Sequence, residues 1–191
     1  PSSARVTDVA SLQRPVLAHA RSAGLAERWV TSHPLAGSEQ SGFGAARDDL
    51  YSGAPVYLSA DAASAEARAV VESLWRNLGA APSWMEAGQH DRRMARVSHL
   101  PQVVATALAD ALAETGVGAD ALGPGGRDTT RLAGSSPSMW GDLLAHADPA
   151  LVAALRAVAR RLEEDADALA DGDVTLPVQR LLRAGAWRRG S

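Results

Sequence analysis

Apolar positions recur along this chain with two different periods, and the change from one to the other divides it. Between Ser11 and Gly24, Leu12, Val16, Leu17 and Ala20 keep a helical spacing, with Ser11 as the expected cap and Gly24 as the stop. Upstream, Val6 to Ser11 reads as the tail of a buried strand running into that helix. Short extended pieces are expected at Trp29–Ser32, Gly53–Ser59 and Ala81–Glu86. Between the last two, Ala65, Ala69, Leu74, Trp75 and Leu78 line one side of an amphipathic helix that ends at Gly79. Strand and helix alternate, so residues 1–87 are expected to be α/β.

After Gly88 the strand signals stop. Val103, Val104, Ala107, Leu108, Ala111 and Leu112 form a wide helical stripe, which Pro101 is expected to precede with a kink or break near His99. Ser136 before Pro137 and Asp148 before Pro149 each set a capping side chain ahead of a first-turn proline, marking two further helix starts. The second helix is expected to run to about Ala170, with Leu151, Leu155, Val158, Leu162 and Leu169 as its stripe and Glu163, Glu164, Asp165 and Asp167 as a solvated face. Asp171-Gly172-Asp173 breaks it, and Leu176 to Trp187 adds a last short helix. Residues 88–191 thus read as an all-helical domain. Such wide apolar stripes beside a small α/β part predict that the helices pack on a partner chain.

Composition narrows the chemistry. With 191 residues, the chain is long enough for a substantial core, and 46% apolar and 21% charged residues describe an ordinary folded protein. A net charge of −3 leaves no electrostatic footprint for nucleic acid. The absence of cysteine excludes disulfides, thiolate catalysis and cysteine-held metals, and the absence of lysine excludes Schiff-base chemistry. No apolar run approaches the roughly 20 residues of a membrane span, nor does the N-terminus have a signal-peptide layout, so the expected location is cytoplasmic. Among His19, His33, His90, His99 and His146 no pair has the i,i+4 spacing of a helical zinc site, and His90 and His99, nine apart, fall on opposite faces of a helix. No metal site is expected.

Three polar clusters remain: Asp8 to Ser11, His33 to Gly42, and Gly123 to Arg131. His33 follows a strand, and Pro34 biases it toward extended backbone; it reads either as a proton-transfer group or as a strand end. Ser11 is either a helix cap or a residue of the crevice where open α/β sheets bind ligands. Arg131 suits a bidentate carboxylate clamp, or is a surface arginine. The run Gly123-Pro124-Gly125-Gly126 reads as a loop approached closely by a ligand, although it lacks the spacing of a phosphate loop. Trp75, Trp84 and Trp140 are expected in the core or at an interface.

Read in order, Thr7-Asp8-Val9-Ala10-Ser11, Ser32-His33-Pro34 through Gly37-Ser38-Glu39 to Gly42, Val97-Ser98-His99-Leu100-Pro101, Gly126-Arg127-Asp128-Thr129-Thr130-Arg131 and Ser136-Pro137-Ser138-Met139-Trp140 resemble the prephenate and arogenate dehydrogenase family of tyrosine biosynthesis, over about Val6 to Leu169. The resemblance implies part of a Rossmann-type α/β domain followed by an all-helical dimerisation domain, mainly α overall, and oxidative decarboxylation of prephenate or arogenate by a homodimer using NAD or NADP. No G-x-G-x-x-G occurs in the sequence, so the chain resembles the family without the start of its nucleotide-binding domain and is expected to be inactive alone.

By the same resemblance, His33 takes the proton of the substrate's ring hydroxyl as hydride leaves C4, and Ser11 positions that histidine and the nicotinamide, with Pro34 beside the cofactor. Arg131 clamps a substrate carboxylate. Ser38 and Glu39 line the pocket, Glu39 pairs with Arg127 at its mouth, and Gln102 stands where the family often has a second histidine. That departure leaves the choice between prephenate and arogenate open; a second departure is the missing aromatic residue before Arg127. The other readings are a non-catalytic dimerisation or regulatory fragment, and another dehydrogenase of the hydroxyacid type.

Overall fold

A computed structural model of the chain describes residues 4–37, 44 and 46–190. Its first compact unit extends to Leu151. Four strands, β1 (Val6–Thr7), β2 (Trp29–Pro34), β3 (Pro55–Ser59) and β4 (Ala81–Trp84), lie in that order across one sheet. β1 and β2 are parallel, β2 and β3 antiparallel, and β3 and β4 parallel. Helices α1 (Arg14–Ser22) and α2 (Ala65–Asn77) fill the connections, and α3 (Ala87–Met94) opens the helical part.

Side chains alternate across a strand, so each strand serves two layers. On one face Val30, Val56 and Leu58 pack against Ala67, Val71 and Trp75 of α2, forming the core. The Trp75 indole meets Tyr51 edge-on at 5.1 Å and donates to Ser32 Oγ at 2.9 Å. Ser64 caps α2 by accepting from the Ala67 N–H, and Gly79 ends it with φ at +77°. The other face carries Thr31, His33, Tyr57 and Ser59 toward α1 and α3.

Helix α1 corrects the expected cap. It starts at Arg14, not after Ser11, and Gln13 is its N-cap residue. The reason lies in α3, whose Asp91 accepts the backbone N–H groups of Gln13 at 2.9 Å and Arg14 at 3.0 Å. A carboxylate from another helix thus satisfies the donors that a capping serine would have taken. Gln13, itself fully buried, spans to β3 by donating to the Tyr57 carbonyl at 2.8 Å.

Beyond α3 the helix does not break at Pro101. Ala95–His99 form one wide π turn, in which the Leu100 N–H reaches the Ala95 carbonyl, and α4 (Leu100–Glu114) continues with Pro101 in its first turn. His90 and His99, on either side of that turn, are both buried, at 0% and 1% exposure. The glycine-rich run is not a loop either. Pro124 starts α5 (Pro124–Thr130), and Thr129 and Thr130 hydroxyls each donate to the carbonyl four residues back at 2.8 Å. A 3₁₀ turn over Arg131–Gly134 leads to α6 (Pro137–Ala145). Helix α7 (Ala150–Ala170) begins where Asp148 accepts from the Ala150 N–H at 2.8 Å.

The second unit, Val152–Ser191, holds most of α7 together with α8 (Thr175–Arg189). Within it Arg180 pairs with Glu164 and Asp165. Of the stripe expected along α7, Leu155 and Val158 are half-buried while Leu162 and Leu169 are more than half accessible, as are Leu181 and Trp187 on α8. Among the described residues no helix is long and apolar enough to cross a membrane.

Candidate functional site

Antiparallel pairing sets His33 directly opposite Tyr57, so the two rings share the face that α3 covers. The α3 residue lying against them is His90. Its ring meets His33 edge-on at 5.1 Å between centroids and Tyr57 at 5.6 Å. Nitrogen Nδ1 of His33 and Nε2 of His90 are 2.9 Å apart, a hydrogen bond. On its far side His90 Nδ1 donates to Asp91 Oδ1 at 2.8 Å. The same carboxylate caps α1 through Gln13 and Arg14 and has the Arg14 Nε 3.5 Å away. Arg14 in turn reaches Asp148 with its Nη2 at 2.5 Å. His33, His90, Asp91 and the start of α1 therefore form one continuous chain of hydrogen bonds.

Burial dominates the electrostatics. It pushes His33 down to about 4, with the neighbouring His90 and His99 rings adding to the effect and Asp91 opposing it. His99 is lowered by burial in the same way. Burial alone would raise Asp91, but the His90 N–H and the backbone N–H groups of Gln13 and Arg14 outweigh it and hold the carboxyl below its usual range. The site at neutral pH is a neutral imidazole backed by an ionised carboxylate.

These shifts make stability pH-dependent. The unfolded His33 takes up its proton near 6.5 and the folded one only near 4, so the unfolded state binds more protons between those values. His33's contribution is complete above 6.5 and is lost as pH falls toward about 4. Urea denaturation across this window is expected to show a falling midpoint, with a shallower fall in His33→Asn. Equal slopes for the two proteins would refute the assignment.

The other residues marked in the sequence are distributed around this chain. Asp8 shapes the segment that carries Ser11, accepting from the Ala10 N–H at 3.0 Å, Trp29 Nε1 at 2.8 Å and Thr31 Oγ1 at 2.9 Å. Half-buried Ser11 lines a cavity of about 350 Å³ together with Met139 and Asp142 of α6 and His146 just after it. Pro34 ends β2 beside His33. Gln102 is buried and engaged: it donates to the Leu132 carbonyl at 2.6 Å and accepts from Ser135 Oγ at 3.2 Å, tying α4 to the 3₁₀ turn. It also lines a second cavity, of about 440 Å³, with Trp140 and Ser135. Arg127 and Arg131 are exposed on α5 and the 3₁₀ turn, with Arg127 donating to the Leu122 carbonyl. Ser38 and Glu39 lie outside the described residues.

Sequence reasoning missed His90 and Asp91. The signal was present, an adjacent His-Asp pair in a helix, but their partners are 57 and 78 positions away, so spacing within the helix could not reveal them. Among the described residues no group of three histidine or acidic side chains could hold a metal ion.

Comparison with known proteins adds a separate line. Residues 2–82 match the prephenate dehydrogenase nucleotide-binding domain, and residues 86–183 the prephenate dehydrogenase dimerization domain. A cyclohexadienyl dehydrogenase of Zymomonas mobilis is 35% identical over 156 residues, covering 77% of this chain and 53% of the relative. A prephenate dehydrogenase of Bacillus subtilis is 34% identical over 150 residues, covering 74% and 40% respectively. The chain thus spans about half, or less, of the length of these curated relatives. The crystal structure of prephenate dehydrogenase from Aquifex aeolicus in complex with hydroxyphenyl propionate and NAD+ superposes with a TM-score of 0.87 at 28% identity, covering 100% of this chain and 68% of that one.

Proposed function

Because the chain belongs to the prephenate and arogenate dehydrogenase family, we propose that it carries the proton-accepting, substrate-holding part of a cytoplasmic homodimeric enzyme that oxidatively decarboxylates prephenate or arogenate with NAD or NADP. The observation that carries this reading is His33: a neutral imidazole at the carboxyl end of a strand, with its Nδ1 side occupied by His90. Open α/β sheets bind ligands outside the carboxyl ends of their parallel strands, and at those ends Ser11 follows β1 and Pro34 closes β2. These residues fit a nicotinamide placed beside His33. The exposed apolar residues of α7 and α8 support the homodimer.

In this reading Arg131 holds a substrate carboxylate, with Arg127 and Gln102 bordering the same region, and Ser11 steadies the imidazole. A bound nicotinamide supplies the hydride acceptor. As the C4–H bond breaks, the C4 hydroxyl becomes strongly acidic and passes its proton to His33 Nε2, leaving a carbonyl at C4. A weak base is sufficient for so acidic a donor, which is why an imidazole pushed down to about 4 serves here. The ring carboxylate then leaves as CO₂, its bonding electrons complete the aromatic ring, and the phenolate oxygen at C4 takes the proton back from His33. Aromatisation drives the sequence, so placing the groups is the protein's main task.

The full-length protein encoded by this reading frame, offered prephenate and arogenate in turn with NAD and NADP, is expected to release CO₂ and the reduced cofactor with at least one pairing. Failure of every pairing, in protein shown by calorimetry to bind the cofactor, rules the reading out.

A further inference from the structure

His90 and Asp91 are deeply buried, and nothing in the reaction itself calls on them. Their bonds nevertheless leave little freedom to the protons of His33. Asp91 accepts two backbone N–H groups and has no proton to give. The His90 nitrogen facing it must therefore be the protonated one, which makes His90 Nδ1 a donor. A second proton on His90 would set a cation 2.9 Å from the His33 ring, in a fully enclosed position whose carboxylate is already shared with the α1 N-terminus and Arg14. His90 Nε2 is thus an acceptor, and the nitrogen of His33 bonded to it is the donor.

We propose that His90 and Asp91 are positioning residues that lock His33 in the Nδ1–H tautomer, with the Nε2 lone pair presented to the substrate hydroxyl. The proposal rests on the reading of His33 as the proton acceptor only for its use, not for its geometry. The free histidine side chain in water favours the opposite tautomer, whose Nε2–H would face the hydroxyl as a donor and could take no proton from it. The carboxylate therefore selects the reactive form of a ring it never touches, through one intervening imidazole. Because Asp91 also caps α1, the same selection depends on α1 being docked on α3.

The tautomer is directly readable in this chain without cofactor. In ¹⁵N-histidine-labelled protein, two-bond N–H correlation spectra at neutral pH are expected to show His33 protonated on Nδ1. In Asp91→Asn the carboxamide oxygen is expected to keep the Oδ1 place, which faces both the Gln13 N–H and His90 Nδ1, so the wild-type tautomer is retained. His90→Gln keeps an acceptor for His33 and a donor for Asp91, so it is also expected to retain the wild-type tautomer, whereas His90→Leu loses it. These two His90 variants leave the α1 cap in place and decide the matter.

In the full-length enzyme, His90→Leu is expected to lower kcat by about 10²-fold or more with KM little changed, and His90→Gln to keep most of kcat. An Nε2–H wild-type His33, a doubly protonated His90, or an unchanged His33 tautomer in His90→Leu overturns the proposal. An Nδ1–H His33 in a full-length protein that oxidises neither cyclohexadienol would instead sink the enzymatic reading and leave the tautomer lock standing.

Discussion

Replacing His33 with Asn in the full-length protein is expected to reduce kcat by about 10²–10⁴-fold, the usual range for loss of one general base, or about 2.7–5.4 kcal/mol of transition-state stabilisation. Asn is the informative replacement because its amide N–H can still donate to His90 Nε2, so the bond between β2 and α3 survives. Stability at neutral pH is therefore expected to change little, as is substrate binding measured by calorimetry, since the carboxylate anchor lies elsewhere. What the variant lacks is a nitrogen lone pair at the position of Nε2. A loss of less than tenfold in kcat, with the fold intact, would remove His33 from the chemistry.

The largest stability effect is expected at Trp75. Its side chain, 3% exposed, closes the α2 face of the sheet, stacks edge-on with Tyr51 and donates to Ser32. Trp75→Ala is expected to cost about 3–5 kcal/mol through lost burial and the cavity left behind, a large share of the roughly 5–15 kcal/mol that holds a domain folded. Trp84 provides the control. It is 38% exposed at the sheet edge, bonded to Glu72 and lying under Arg68, and its replacement is expected to cost about 1 kcal/mol or less. Urea denaturation of the two variants measures both. Similar losses would mean that the core is not organised around α2 as described.

Local signals account for what could be read beforehand. The helix over 65–77 shows as an apolar stretch with its Gly79 stop, but the face it buries is Ala67, Val71 and Trp75, while the expected Ala65, Ala69, Leu74 and Leu78 stand exposed, and it starts at the Ser64 cap, not at Asp61; α7 runs from the Asp148 cap to Ala170 as its local signals indicate. The strands at 29–34, 55–59 and 81–84 stand out as apolar runs between turn residues. Errors arose wherever a distant group supplied what the local sequence lacked. Ser11 has the chemistry of a cap, but Asp91 arrives from α3 and moves the start of α1 to Arg14. Gly125 and Gly126 lower helix propensity, yet Pro124 and the threonine hydroxyls settle α5 as a helix.

The candidate site divides in the same way. His33 was legible because its turn and strand are adjacent to it. Its relay was not, because sheet register and helix docking bring His90 and Asp91 to it, and neither is written in any short window.

The π turn at Ala95–His99 has a consequence for how this protein can vary. Each α-helical residue advances the face by about 100°, so the one additional residue in the wide turn sets the phase between α3, which addresses the imidazole of His33, and α4, which presents Gln102 to the cavity beside Trp140. Wound at ordinary pitch, the same residues would turn one helix against the other by that angle. The width of this one turn therefore keeps His90 and Gln102 each facing its own site.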